Sequence, residues 1–242
     1  MRSTLLTSML LTALVLAGAC AQTEPLVLQD IVSTIPWPDQ ERAEYIVLDR
    51  DSGDEEGTGV LSVTRKDGQF ELRLRFENEG NSDESVVLVD ATTLKPTSVR
   101  REVRSEDEVV VITGDYDPAE GLVQIIEIRD GNEREIPLRL EEPYYNNDEA
   151  LFLWRTIPFV EGYEASYNAV LVNRGALTLI TVEVAGKEEV TVPAGAFQSW
   201  RVEIRIGDVR QVAWYADTPE HLLLQYDNSL QIFQLTEFDD GQ

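Results

Sequence analysis

The chain has one cysteine and one histidine in 242 residues. A single Cys excludes an intrachain disulfide and any multi-cysteine metal site, and a single His excludes multi-histidine zinc sites. Basic residues are scarce: 20 Lys+Arg stand against 45 Asp+Glu, a formal charge of −25. So negative a surface repels phosphate backbones and anionic headgroups, so no nucleic-acid partner is expected. Helical periodicity is nearly absent from the body of the chain, which argues against a βαβ fold. What is present is apolar enough to fold. At 43% hydrophobic residues the chain lies outside the disordered class.

The first residues carry an address. Arg2 gives a short positive region, Leu5 to Leu16 an apolar one, and Ala17, Gly18 and Ala19 a small-residue box. The apolar run falls short of the roughly 20 residues that a membrane span needs. Residues 1–19 are therefore expected to be a removable signal peptide. Cys20 follows at once, as in a bacterial lipoprotein signal, although Ala17 stands where that pattern usually has Leu. The expectation is a lipidated Cys20, with lipid as the membrane partner, on the extracytoplasmic side (periplasm or cell surface). The alternative is a secreted protein cut after Ala19 or Ala21. Residues 20–42, with Pro25, Pro36 and Pro38, read as a lipid-anchored tether, in which Leu26 to Leu28 could dock back on the domain.

From about Ala43 the period is two. Leu72, Leu74 and Phe76 alternate with charged residues, and so do Val202, Ile204 and Ile206. Turn signals recur at Asp67-Gly68, Gly80-Asn81, Asp130-Gly131, Arg174-Gly175, Ala185-Gly186-Lys187 and Gly207-Asp208. Residues 43–242 therefore read as one all-β domain: an antiparallel curved sheet, half-open barrel or sandwich. One short helix is expected near residues 147–156. Asn146 or Asn147 would cap it and Pro158 would end it. Leu151, Phe152 and Trp154 should point into the concave side, with Arg155 directed outward.

The second half carries landmarks in a set order. Trp154-Arg155-Thr156-Ile157-Pro158-Phe159 is followed by Val190-Thr191-Val192-Pro193-Ala194-Gly195-Ala196-Phe197, then by Trp214-Tyr215-Ala216-Asp217 and Leu222-Leu223-Leu224. This order resembles the bacterial envelope family called domain of unknown function 3108, over about residues 43 to 236. The resemblance implies a β-rich exported protein and brings no established enzyme activity. Gly195 should take a positive φ, in a tight turn built with Pro193.

No catalytic constellation is legible, and no enzyme activity, cofactor or specific metal is expected. His221 would have to serve any Ser-His-Asp arrangement, yet no nucleophile-elbow pattern surrounds a Ser. It reads as a rim residue. Acidic loops at Asp49 to Glu56 and Asp115 to Glu120 lack the spaced EF-hand pattern. The best ligand signal is aromatic. Phe152, Trp154, Tyr163 and Trp214 are the candidate ligand-binding residues, for an apolar small molecule under a helical lid or for docking of an envelope protein. A plain hydrophobic core, in a structural envelope lipoprotein without ligand, is the rival.

Overall fold

The computed structural model describes residues 27–241. The expected signal peptide and Cys20 lie outside them. Within them one 15-stranded sheet carries the architecture. The first eight strands form a meander: β1 (Gln40–Asp49), β2 (Glu55–Lys66), β3 (Gln69–Asn78), β4 (Asn81–Asp90), β5 (Pro96–Arg104), β6 (Val109–Asp117), β7 (Leu122–Arg129) and β8 (Asn132–Arg139). A second run follows: β9 (Tyr144–Asn146), β10 (Glu164–Leu171), β11 (Ala176–Val192), β12 (Gly195–Ile206), β13 (Val209–Ala216), β14 (Leu223–Asp227) and β15 (Gln231–Asp239). The spatial order is β8 to β1, then β15 to β9, so β1 pairs with β15 in mid-sheet and β8 and β9 form the two edges. All ladders between named strands are antiparallel except β9 with β10. The expected all-β curved antiparallel sheet is present as a single open sheet; the sandwich alternative is not.

Hairpin chemistry explains the meander. Asp67 and Gly68 take φ of 52° and 81°, and Asp130 and Gly131 take 50° and 76°. Two successive positive φ values match the right-handed twist of the strands they join, which is why Asp-Gly sits there. Alternate side chains then face inward. Tyr45, Val47, Leu61, Val63, Leu72 and Val87 are all buried, as are Ile180, Val182, Val202, Ile204 and Tyr215 across the curve. One turn expectation fails. Ala185-Gly186-Lys187 does not end a strand: it is a bulge inside β11, where the register with β12 shifts between Val184 and Gly186. Gly186 has φ 138°. A lone glycine in a strand marks a bulge as readily as a turn.

The helical plug lies where the period breaks. A 3-10 turn, Asn147–Glu149, leads into one α turn, α1 (Ala150–Leu153), and a second 3-10 turn, Trp154–Thr156. Asn146 caps it: its side chain accepts from the Asp148 N–H, while Glu149 reaches back to the Asn146 N–H at 2.7 Å. So short a helix is unstable alone. Burial holds it: Phe152 and Trp154 are each 1% exposed. Trp154 Nε1 donates to the Tyr167 hydroxyl and Tyr215 donates to the Leu151 carbonyl.

Two corrections follow from the packing around the plug. Arg155 is not directed outward: its side chain is 3% exposed and pairs with Glu41. Nor is the expected tether free over its described part. Leu28 docks back as expected, bridging Ser166 of β10, but the contact runs further: Ser33 and Thr34 donate to the Thr156 carbonyl, and Ile31 and Trp37 are core residues. The folded unit thus begins well before residue 43. Among the described residues no helix is long and apolar enough to cross a membrane.

Candidate functional site

The curve of the sheet leaves a cavity of about 320 Å³ beside the plug. Its walls come from distant parts of the chain. β3 supplies Leu74 and Phe76, the plug supplies Leu151 and Trp154, and β15 supplies Phe233. These make an aromatic wall. Phe76 and Phe233 ring centroids are 6.4 Å apart, Phe233 and Tyr226 6.0 Å, and Tyr226 and Trp154 6.2 Å. Such contacts fix ring positions at little entropic cost, because each ring is held by the next. The Tyr226 hydroxyl is turned to Gln211 at 2.6 Å.

Beside these rings the lining is charged, Asp83 being the register partner of Phe76. Arg101 of β5 forks onto Asp83 of β4 at 3.0 and 2.6 Å, and its third nitrogen reaches Asp148 of the plug at 3.2 Å. Antiparallel pairing brings Arg101 beside β4, and the Asn146 cap presents Asp148 to it. The Asp148 side chain is 7% exposed. Its Oδ2 has no hydrogen-bond partner, and neither has Oε2 of the neighbouring Glu149. Burial raises the pKa of both carboxyls, opposed by Arg101 at Asp148 and by the Asn146 N–H at Glu149. The cavity therefore joins an apolar body to a polar end holding one guanidinium and two carboxylates.

The four residues singled out from the sequence do not share one place. Trp154 lines the cavity. Phe152 packs behind it against Trp37, with centroids 6.4 Å apart. Tyr163 is half-buried against the core, just before β10. Trp214 lies on the other face of β13 from Tyr215, where its Nε1 donates to Glu188. Periodicity alone would have separated Trp214 from its buried neighbours Ala213 and Tyr215. Asp83 and Arg101 carry no signal in the sequence, because charged residues on alternating strands look like solvated faces, and Asp148 reads there only as an acidic residue at the helix start.

His221 is half-buried at the end of the sheet. It stands in the turn before β14 with φ 45°, stacks on Phe159 at 4.1 Å and places Nδ1 3.3 Å from the Ala216 carbonyl. Burial lowers its pKa. In the acidic loops Asp49 and Asp117 accept the N–H groups of their own turns. Among the described residues no three metal-ligating side chains gather. A second recess, of about 570 Å³, lies between Trp37, Phe197, Leu222, Leu224 and Phe238. Here the hairpin from Val192 to Phe197 matters. Gly195 has the expected positive φ, 138°, and Phe197 lines the recess.

A known structure shares this fold at low identity. A family model described as "Protein of unknown function (DUF3108)" matches residues 45–232. No curated protein matches the chain. A beta-barrel-like protein of the domain of unknown function DUF1849, from Brucella abortus, superposes with a TM-score of 0.54 at 14% identity. That likeness covers 84% of this chain and 98% of the other, and it speaks to the fold alone. A protein with YmcC-like fold from Bacteroides fragilis covers 86% of this chain and 99% of its own at 11% identity, but a TM-score of 0.30 carries no argument.

Proposed function

The chain belongs to the DUF3108 family, and on that premise we propose that it is an exported, membrane-anchored β protein that binds a small apolar or amphiphilic ligand beside Trp154. The leader and Cys20 support the location: lipid on Cys20 would hold the domain at the extracytoplasmic face of a membrane. The observation that carries the binding reading is the cavity beside the plug, lined by both aromatic and charged side chains. At about 320 Å³ it stands at the lower end of small-molecule sites. The protein's own residues would then bind and orient, with the aromatic wall holding the body of the ligand and the Arg101 end selecting its head.

A second reading is favoured by one observation. Most of the concave side is filled, with Trp154, Tyr45, Tyr145, Tyr167 and Tyr215 among its largest wholly buried side chains. A structural envelope lipoprotein without ligand, acting through protein contacts, fits such a filled interior. Mass spectrometry of the protein extracted from its native envelope, under conditions that keep ligands bound, separates the two. A co-purifying lipid-like mass that disappears in Ile206→Trp, which narrows the cavity wall, supports binding. Ligand-free protein from every preparation, together with no uptake of an apolar fluorescent probe, defeats it.

A further inference from the structure

The recess of about 570 Å³ sits where the sheet splits. β14 and β15 pair from Asp227↔Ile232 to Gln225↔Gln234 and then part. Beyond that point β14 keeps to β13 as far as Leu223, while β15 runs on beside β1 to Asp239. The hairpin between β11 and β12 leans over the gap, where the Ala194 N–H donates to the Leu235 carbonyl at 3.0 Å. Leu222 and Leu224 line the recess from the β14 side and Phe238 from β15, with Phe197, Pro36 and Trp37 around them. Trp37 and Leu224 are buried, but Phe197, Leu222 and Phe238 are only half-buried, which leaves apolar surface accessible. The lining also holds Glu220 and Asp240, both exposed, and no basic residue.

The N-terminal segment crosses this same end of the sheet. Leu28 bridges Ser166 near the start of β10, Asp30 pairs with Lys95 just before β5, and Trp37 packs edge-on against Phe70 at the start of β3. Seven residues lead from Cys20 to Val27, and fully extended they span about 25 Å at most. With lipid on Cys20, as proposed above, this end stays within that distance of the bilayer. The cavity beside the plug lies away from it, lined by Phe76, Asp83 and Gln231 near the far ends of β3, β4 and β15. We propose that the recess between β14 and β15 takes one acyl chain of a zwitterionic membrane lipid, drawn from the bilayer to which Cys20 is tied. The lining suits a chain, the volume lies within the range of small-molecule sites, and the two carboxylates disfavour an anionic head. The site rests on the anchor and stands apart from the cavity beside Trp154.

The test places the lipidated protein in phosphatidylcholine vesicles whose acyl chains carry bromine, a contact quencher of tryptophan. The emission due to Trp37, taken as the difference between the native protein and Trp37→Phe, should fall severalfold relative to vesicles without bromine. Phe197→Glu sets a charge in the half-buried lining and should abolish that fall while the protein stays on the vesicles. Trp37 emission that is the same with and without bromine overturns the assignment, and so does a fall unaffected by Phe197→Glu. The chains on Cys20 carry no bromine, so their occupying the recess counts as the first of these. Quenching that vanishes in Trp154→Phe and persists in Trp37→Phe overturns the recess while supporting the cavity beside the plug. Equal quenching by brominated phosphatidylglycerol overturns the choice of head. Protein that leaves the vesicles overturns the anchor, and this site with it. Should Trp37→Phe or Phe197→Glu fail to fold, a phosphatidylcholine with a photoreactive chain reads the same contact on the native protein: label on the peptides of Phe197, Leu222 or Phe238 supports the site, and label confined to other peptides overturns it.

Discussion

Replacing Arg155 by methionine should destabilise this protein more than any ordinary surface-charge substitution. Arg155 sits in the last turn of the plug, 3% exposed, and Glu41 of β1 is 4% exposed. Its guanidinium takes both carboxylate oxygens, donates to the Glu220 and His221 carbonyls at 2.8 and 3.1 Å, and lies 5.3 Å over the Trp37 ring. Arg155→Met retains the aliphatic stem but strands the Glu41 carboxylate in the core. Breaking a buried pair from one side costs about 3–5 kcal/mol, and two carbonyls that lose their donor push the figure toward the upper end. For a chain of this size that is a drop of roughly 6–20 °C in melting temperature. Urea titration and thermal melts, followed by circular dichroism and tryptophan fluorescence, read it out. The double variant Arg155→Met with Glu41→Leu removes both charges and should recover much of the loss. A single variant that loses less than about 1 kcal/mol would refute the reasoning, since that is what exposed pairs contribute. So would a double variant in which the two losses simply add.

Three further outcomes are expected. Gly195→Val should cost on the order of 1 kcal/mol or more, because φ is 138° there while the added Cβ meets Phe197 only at an ordinary 3.5 Å; an unchanged melting temperature would show the backbone strain to be absent. Glu149 has a folded pKa raised above its unfolded value, so its contribution to stability is present at low pH and lost as pH rises through the window above about 4.3. Glu149→Gln keeps the acceptor for the Asn146 N–H and should flatten the decline in urea midpoint from about pH 4 to pH 7; a steeper decline would contradict it. Cys20→Ala should move the protein from the membrane fraction to the soluble fraction, and undiminished membrane association would remove lipid as the anchor.

The sheet was legible because alternation is a local property: Leu72, Leu74 and Phe76 declare a face without knowing their partners. The plug was legible for the same reason, since Asn146, Asp148 and Glu149 announce a cap within four residues. Arg155 was not. A basic residue at a helix end reads as solvated, and nothing near it in sequence points to Glu41 on β1. The docking of Ile31 and Trp37 on the domain was hidden in the same way, behind prolines that suggest a linker. Gly186 shows a different failure, in which one glycine serves a turn and a bulge equally well. The polar end of the cavity exists only because β4, β5 and the plug converge. No window of sequence contains Asp83, Arg101 and Asp148 together.

The seam between β1 and β15 sets the order in which the chain can complete itself. Every other pairing between named strands joins neighbours in sequence, so each hairpin can form as soon as its second strand exists. The seam alone matches Arg42 with Asp239. Closing so long a loop delays that pairing relative to the hairpins, although the entropy penalty grows only with the logarithm of length. Two half-sheets must therefore wait, unjoined along one edge each, until the final strand is released from synthesis. The same geometry makes the C-terminus the weakest place to truncate. Losing β15 would not trim an edge; it would cut the sheet through the middle and leave Tyr45 and Val47 without the strand that covers them.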